Sequence, residues 1–550
     1  MTVHNIADSF VDDHIRLSPT DATALGIPGY DDQLPDLSPD GHAARNDLAR
    51  RALREVEAVT PADESERVAK AVFTERLGVE TELYDAGLVE GDLNVLASPP
   101  QSLREIFDLM PTATADDWAT VATRLSRMPE AVASYRAGLL HAAAHGHVSA
   151  RRQVTKVAEQ CAKWSADFFT GFVATAQDVP DSVRADLDAG AAAASSAYGD
   201  LAEFLRTELL PKAGEKDAVG EDAYRLFSRR YLGAALDLRE AYEWGWAEFQ
   251  RLETEMLQIA NRVKPGAGLT EAADALDADP KYQVRGVAEF RDWMQKLSDQ
   301  ALTDLRGVHF EIPAEIMRLD CKISPPGGGA GAYYTHPSDD FSRPGAMWWS
   351  LPPNKDSFTT WREVSIVYHE GVPGHHLQIA TAMHQKERLN KFQRMLAWVP
   401  AYSEGWALYA ERLMREFGYL TDDGNLFGML NENLFRAARV IIDIGMHLEL
   451  EIPRGTNFHE TETWTPELGL EFMLTRTITE KELVVDEVDR YLGWPGQAPA
   501  YKLGERLWLE AREEAKTRQG QNFNLKNFHM QALYLGQMGL DTLRERLAAI

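Results

Sequence analysis

The stretch Tyr368-His369-Glu370-Gly371-Val372-Pro373-Gly374-His375-His376-Leu377-Gln378 sets three histidines and a glutamate at the end of an apolar helix. Trp361, Val364, Val367 and Tyr368 recur at helical spacing and form a buried stripe leading straight into His369 and Glu370. Zinc hydrolases use two histidines four apart on one helical face, with the glutamate between them acting on water. Here the fourth residue after His369 is Pro373. His375 and His376 lie further on, at about 10 Å of rise along a straight helix, too far to share one ion. Pro373 cannot donate to the carbonyl of His369, and Gly371 and Gly374 free the backbone. The segment is therefore predicted to break or bulge, looping out residues and returning a second histidine to His369. Seven residues is close to two turns, which favours His376 over His375 as that ligand.

A third ligand is expected from a His, Asp or Glu on a neighbouring helix. From about Ala401 a helix carries Tyr402, Trp406, Tyr409, Leu413 and Phe417 as an apolar stripe, with Pro400 suited to its first turn. Glu404 lies off that stripe, and Gly405 beside it leaves room for another helix. Glu411, seven residues on, shares the face of Glu404. Glu404 is the expected ligand, and Glu411 is either its replacement or a carboxylate that holds a histidine ring.

Outward from this centre the pattern stays helical. Residues 1–263 read as successive helices rich in Ala, Leu, Arg and Glu, punctuated by Pro and Gly. The run VKPGAGLTEAADALDAD, Val263–Asp279, is the clearest break in composition. It divides a 1–263 helical region from a 264–550 metal-site region, or is a surface loop within one continuous bilobed domain. Val308–Pro353 differs in kind: VHFEIP, GAYYT and GAMWWSLP are aromatic or alternating runs that predict a small β-sheet just ahead of the metal helix. Pro325, Pro326 and Gly327–Gly329 connect its parts, and the glycines follow no strand-to-helix pattern that would make a phosphate loop. The expected fold class is mainly α.

The 550 residues are 44% hydrophobic and 26% charged, enough to build a core without staples. Only Cys161 and Cys321 occur, so neither a disulfide framework nor a cysteine zinc site is available. That cysteine usage, with polar and acidic first residues that lack a basic and apolar leader pattern, gives the expectation of a cytoplasmic protein. No stretch reaches the roughly 18 apolar residues of a membrane span. With 57 Lys+Arg against 85 Asp+Glu, the net charge of −28 disfavours nucleic acid and anionic membranes as partners.

His369–His376, Glu404–Ala407 and Pro495–Ala498 resemble the His-Glu-Gly-x-Pro-Gly-His-His, Glu-Gly-Trp-Ala and Pro-Gly-Gln-Ala segments of the bacterial family called domain of unknown function 885. The resemblance covers nearly the whole chain and names no activity. More remotely, the order of elements is similar to that of the helical gluzincin peptidases, the class of angiotensin-converting enzyme and thimet oligopeptidase. That likeness implies a large helical zincin-like fold with a central cleft. It also implies a third ligand in the Tyr402-x-Glu404-Gly405 context, 28 positions past His376, and a transition-state tyrosine at Tyr501, 97 positions past Glu404.

The resulting expectation is one Zn²⁺ per chain on His369, His376 or His375, and Glu404, with Glu370 as general base in cleaving a peptide or small amide substrate. Tyr501, with His529 as a second candidate, would donate to the oxyanion, the alternative for each being simple core packing. Met347-Trp348-Trp349-Ser350 would form either a strand that aligns an extended substrate or an ordinary buried strand. Arg436, Arg439 and Arg476 could meet a substrate carboxylate or be ordinary surface or ion-pair residues, and the sequence does not decide between these. The competing reading is a metal-free helical binding or scaffold protein that has lost catalysis.

Overall fold

The computed structural model describes the chain apart from residues 1, 325–330, 339 and 353. The connection expected at Pro325–Gly329 falls outside the described residues. The chain is mainly helical with a small sheet, and it divides into two compact units. One comprises Met1–Phe227 and Val485–Pro495, the other Ser228–Val484 and Gly496–Ile550. The composition break at Val263–Asp279 lies inside the second unit and contains a helix, Leu269–Ala278, which buries Ala272, Ala273 and Leu276.

The first unit is a stack of amphipathic helices. Its axis is Asp181–Phe204, whose small residues let neighbours approach: a Cβ on Gly190 would stand 2.9 Å from the Cβ of Leu125 in the Ala115–Ser126 helix. Phe107, Trp118, Leu125, Phe169 and Tyr198 fill the core around it. Side chains of Ser38, Asp63 and Thr114 accept backbone N–H groups at helix starts, which stops each helix at a defined residue.

The second unit is built on Asp423–Leu448, a helix apolar around most of its circumference and therefore buried nearly throughout. Three close helix contacts made through glycine surround the site, two of them backbone to backbone. A Cβ on Gly428 would lie 1.8 Å from the Trp361 carbonyl oxygen, so Asp423–Leu448 abuts the Thr360–Glu370 helix. One on Gly245 would meet Val440 at 2.9 Å, seating Leu238–Val263 on the other side. One on Gly405 would lie 2.4 Å from the Cα of Gly504, so Pro400–Glu416 crosses Ala500–Gln519 in backbone contact.

The sheet has the strand order Leu319–Ile323, Gly345–Ser350, Gly331–Thr335, with the first pair parallel and the second antiparallel. A second, two-stranded sheet pairs Gln283–Arg285 with Ser357–Thr359. GAYYT and GAMWWS are strands as expected. VHFEIP is not: Phe310 is buried, but the run forms only an isolated bridge between Arg306 and Phe310. Its place is taken by LDCKI, Leu319–Ile323, whose lysine and aspartate mask the strand signal.

The Gly405–Gly504 crossing leaves no room for a methyl group. Gly504→Ala is expected to cost about 1–3 kcal/mol by overpacking, whereas Gly78→Ala, with no atom within 4 Å of the added Cβ, should stabilise its helix by about 0.5–1 kcal/mol. Chemical denaturation of both variants checks the contrast.

Candidate metal centre

The Thr360–Glu370 helix buries Trp361, Val364, Val367 and Tyr368 and delivers His369 and Glu370 in its last turn. The Gly371 N–H donates to the Val367 carbonyl at 2.9 Å, and the chain then folds back: Gly374 N–H reaches the Tyr368 carbonyl at 3.1 Å and His376 N–H that of Gly371 at 3.0 Å. The Val372–Pro373 peptide is cis. A Cβ on Gly374 would sit 1.9 Å from the His369 carbonyl oxygen, so only glycine permits this approach. The Trp406 indole N–H donates to the Pro373 carbonyl at 2.8 Å and ties the loop to the Pro400–Glu416 helix. The next helix, His375–His384, consequently starts beside His369, with the rings of His369 and His375 4.8 Å apart and nearly perpendicular.

His369, His375 and Glu404 offer ligand atoms that all lie within 4.8 Å of one another. Glu404 Oε2 stands 3.1 Å from His369 Nε2 and 3.5 Å from His375 Nε2. Two atoms bound to a tetrahedral zinc at about 2.0–2.1 Å are about 3.3–3.4 Å apart, so these spacings suit such an ion. The His375 Nδ1 is buried with no hydrogen-bond partner among the described residues. On the far side of His369, Nδ1 lies 2.8 Å from Glu411 Oε1, and the Ser365 hydroxyl donates to the other Glu411 oxygen at 2.5 Å. Glu411 thus orients the ring and leaves Nε2 facing Glu404.

Three carboxylates, Glu370, Glu404 and Glu411, are gathered here in largely buried positions, an arrangement that calls for positive charge. Burial alone would lower the His369 pKa, but hydrogen bonds to Glu404 and Glu411 outweigh it and push the imidazole up to about 10. Burial would raise Glu404, yet His375 and His369 hold it well below the usual carboxylate range. Glu370 goes the other way: burial raises it, with Glu404 adding to the rise, against the pull of His375, His369 and Arg436.

A model of the family described as "Bacterial protein of unknown function (DUF885)" matches residues 19–547. The chain belongs to this family. Two solved structures share the DUF885 chain's fold. One, a "putative lipoprotein from Colwellia psychrerythraea", has a TM-score of 0.83 at 22% identity and covers 100% of this chain and 98% of that one. The other, a "putative lipoprotein of unknown function from Shewanella oneidensis", has a TM-score of 0.76 at 18% identity and covers 100% of both. No curated protein matches the chain. The expected cytoplasmic location is contradicted by these neighbours, both described as "putative lipoprotein"; cysteine scarcity does not discriminate on this point. Among the described residues, no helix is long and apolar enough to cross a membrane.

Other residues singled out in this DUF885 sequence have different surroundings. His376, favoured by spacing, turns away: its Nε2–H donates to the Ile316 carbonyl at 2.8 Å and its Nδ1 accepts from the Tyr334 hydroxyl at 2.9 Å. Burial pushes it down to about 4, and it fastens the helix to the sheet. The two-turn reasoning failed because the chain does not continue as a helix through Gly371–Gly374. His529 lies 2.8 Å from the Tyr409 hydroxyl, among Phe310 and Trp406. Trp406 and Tyr409 are on the face of their helix opposite Glu404, so His529 is a core residue, pushed down to about 3 by burial. Tyr501 is half-buried under the guanidiniums of Arg439 and Arg436, 4.8 and 5.8 Å from its ring centre. Arg476 is held by Glu253 and the Thr456 carbonyl. Gly345–Ser350 is the central strand of its sheet, paired on both sides, and cannot take a substrate strand. Ser365 was missed; its position one turn before His369 was the available signal.

Protein purified without chelator is expected to hold about one zinc per chain, measured by elemental mass spectrometry. His375→Ala and Glu404→Ala should lose it and His376→Ala should keep it; the reverse pattern for the two histidines would show the assignment to be wrong.

Proposed function

We propose that this protein is a zinc-dependent hydrolase of peptide or amide bonds, with a zincin-like arrangement in its second unit. The observation that carries the reading is the convergence of His369, His375 and Glu404, with Glu370 directly following the first ligand. Glu404 keeps 19% of its side chain exposed among nearly buried neighbours, which supports a cleft opening onto this point. Bound zinc would supply Lewis acidity toward a carbonyl and toward water.

The chain's own residues divide the remaining work. Glu370, made more basic than an ordinary carboxylate by its burial, takes the proton of the attacking water and returns it to the leaving amine. Glu411 and Ser365 hold the His369 ring in one tautomer and orientation. Tyr501, its ring packed beneath two guanidiniums, supplies the hydroxyl for the developing oxyanion.

Glu370→Gln keeps the shape of the side chain and removes the base. Turnover of a mixed peptide and N-acylamino-acid library, followed by mass spectrometry, should fall about 10²–10⁴-fold with zinc content unchanged. Undiminished turnover in the variant removes Glu370 from this role, and a zinc-loaded wild-type protein that cleaves nothing in the library counts against the hydrolase itself.

A further inference from the structure

Four buried polar atoms on two neighbouring helices have no hydrogen-bond partner among the described residues: His375 Nδ1, Gln378 Oε1 and Thr381 Oγ1 on His375–His384, and Ser403 Oγ on Pro400–Glu416. Their residues are 7%, 1%, 1% and 2% exposed. They border the metal centre, since the other ring nitrogen of His375 faces Glu404 at 3.5 Å and Ser403 directly precedes Glu404.

Gln378 is placed to serve His375. It stands three residues along the same helix, about 60° around it, and helical side chains lean back over the preceding turn. Its Nε2 donates to the Tyr402 carbonyl at 3.3 Å. A carbonyl only accepts, so the nitrogen must be the end of the amide that faces Tyr402, and Oε1 is the end left over. The same bond brings Gln378 against the residue before Ser403, and Thr381 follows Gln378 by three on the same flank of its helix. A histidine that binds a metal through Nε2 carries its proton on Nδ1, and that proton needs an acceptor. His369 has Glu411 for this purpose. Around His375 the inventory is one donor in Nδ1–H, one acceptor in Oε1, and two hydroxyls that can each give or take a hydrogen bond. That set is the complement of a single water, which gives two and takes two.

Resting on the zinc-dependent reading, we propose that Gln378 is a positioning residue for the His375 ligand: one buried water takes the Nδ1 hydrogen bond and gives one to Oε1, with the Ser403 and Thr381 hydroxyls as its remaining partners. The ring is then fixed with Nε2 toward the metal. The two histidines are thereby held differently, His369 by a carboxylate and His375 by a neutral amide. The amide orients its ring without adding a fourth acid to Glu370, Glu404 and Glu411.

Zinc affinity of the full-length protein, read by competition with a chromophoric chelator, tests this without turnover. Gln378→Leu nearly keeps the volume and removes the acceptor, and should weaken zinc binding by about 10–100-fold. Gln378→Glu keeps an acceptor and should stay within about threefold of wild type. A role exerted through the Tyr402 carbonyl would reverse that order, because a carboxylate cannot donate to it. Unchanged affinity in Gln378→Leu, or an equal loss in Gln378→Glu, overturns the proposal. Crystals of the zinc-loaded wild type give a second reading that needs no variant: one water within about 3.2 Å of both His375 Nδ1 and Gln378 Oε1 is expected, and a dry site overturns the proposal. If the wild type binds no zinc, this proposal falls with the metal centre; if it binds zinc and cleaves nothing, the hydrolase reading falls alone.

Discussion

The carbonyl of His369 and the α-carbon of Gly374 approach so closely that no side chain fits between them. Through that contact the chain reverses at the end of one helix and begins the next beside it. Without it, His375 would lie most of two turns beyond His369 and could not share an ion with it. The Trp406–Pro373 hydrogen bond joins the turn to the helix bearing Glu404, so candidate ligands from three helices are held in fixed relative positions. The glycine contacts at Gly428, Gly405 and Gly504 extend the same logic outward. Each brings a helix backbone against the centre at a distance set by the backbone itself, with no side chain able to change rotamer and shift it.

Charge is the second constraint. The carboxylates of Glu404 and Glu411 flank a single imidazole, and Glu370 stands alongside. Buried acids at this density are costly unless paired. In the metal-free chain the hydrogen bonds to Glu404 and Glu411 push the His369 imidazole well up and favour its protonated form. A divalent cation held here, as proposed, would replace that proton with more charge in the same place. Arg436 and Arg439 add positive charge nearby, on a helix that also buries Asn431, Asn433, Asp443 and His447.

The sequence made the helical class, the two main strands and the two acidic residues on one helical face legible, because each rests on short-range periodicity or on residue type. Glu404 and Glu411 were readable seven apart before any fold was known. The choice between His375 and His376 was not, because it depends on how four residues loop out, and rotation about that loop has no helical period. His529 looked like a candidate as a lone histidine; only tertiary packing puts it behind Trp406. The strand Leu319–Ile323 was hidden because it is polar on one side and pairs with a partner distant in sequence. Ser365 and the Arg436–Tyr501 stack likewise arise from contacts between helices that no local pattern encodes.

The most direct measurement is anomalous diffraction at the zinc edge from crystals of the zinc-loaded protein. The account predicts one peak about 2.0–2.1 Å from the Nε2 atoms of His369 and His375 and from an oxygen of Glu404. A zinc-saturated crystal with no peak there, or with the ion on His376 instead, contradicts it.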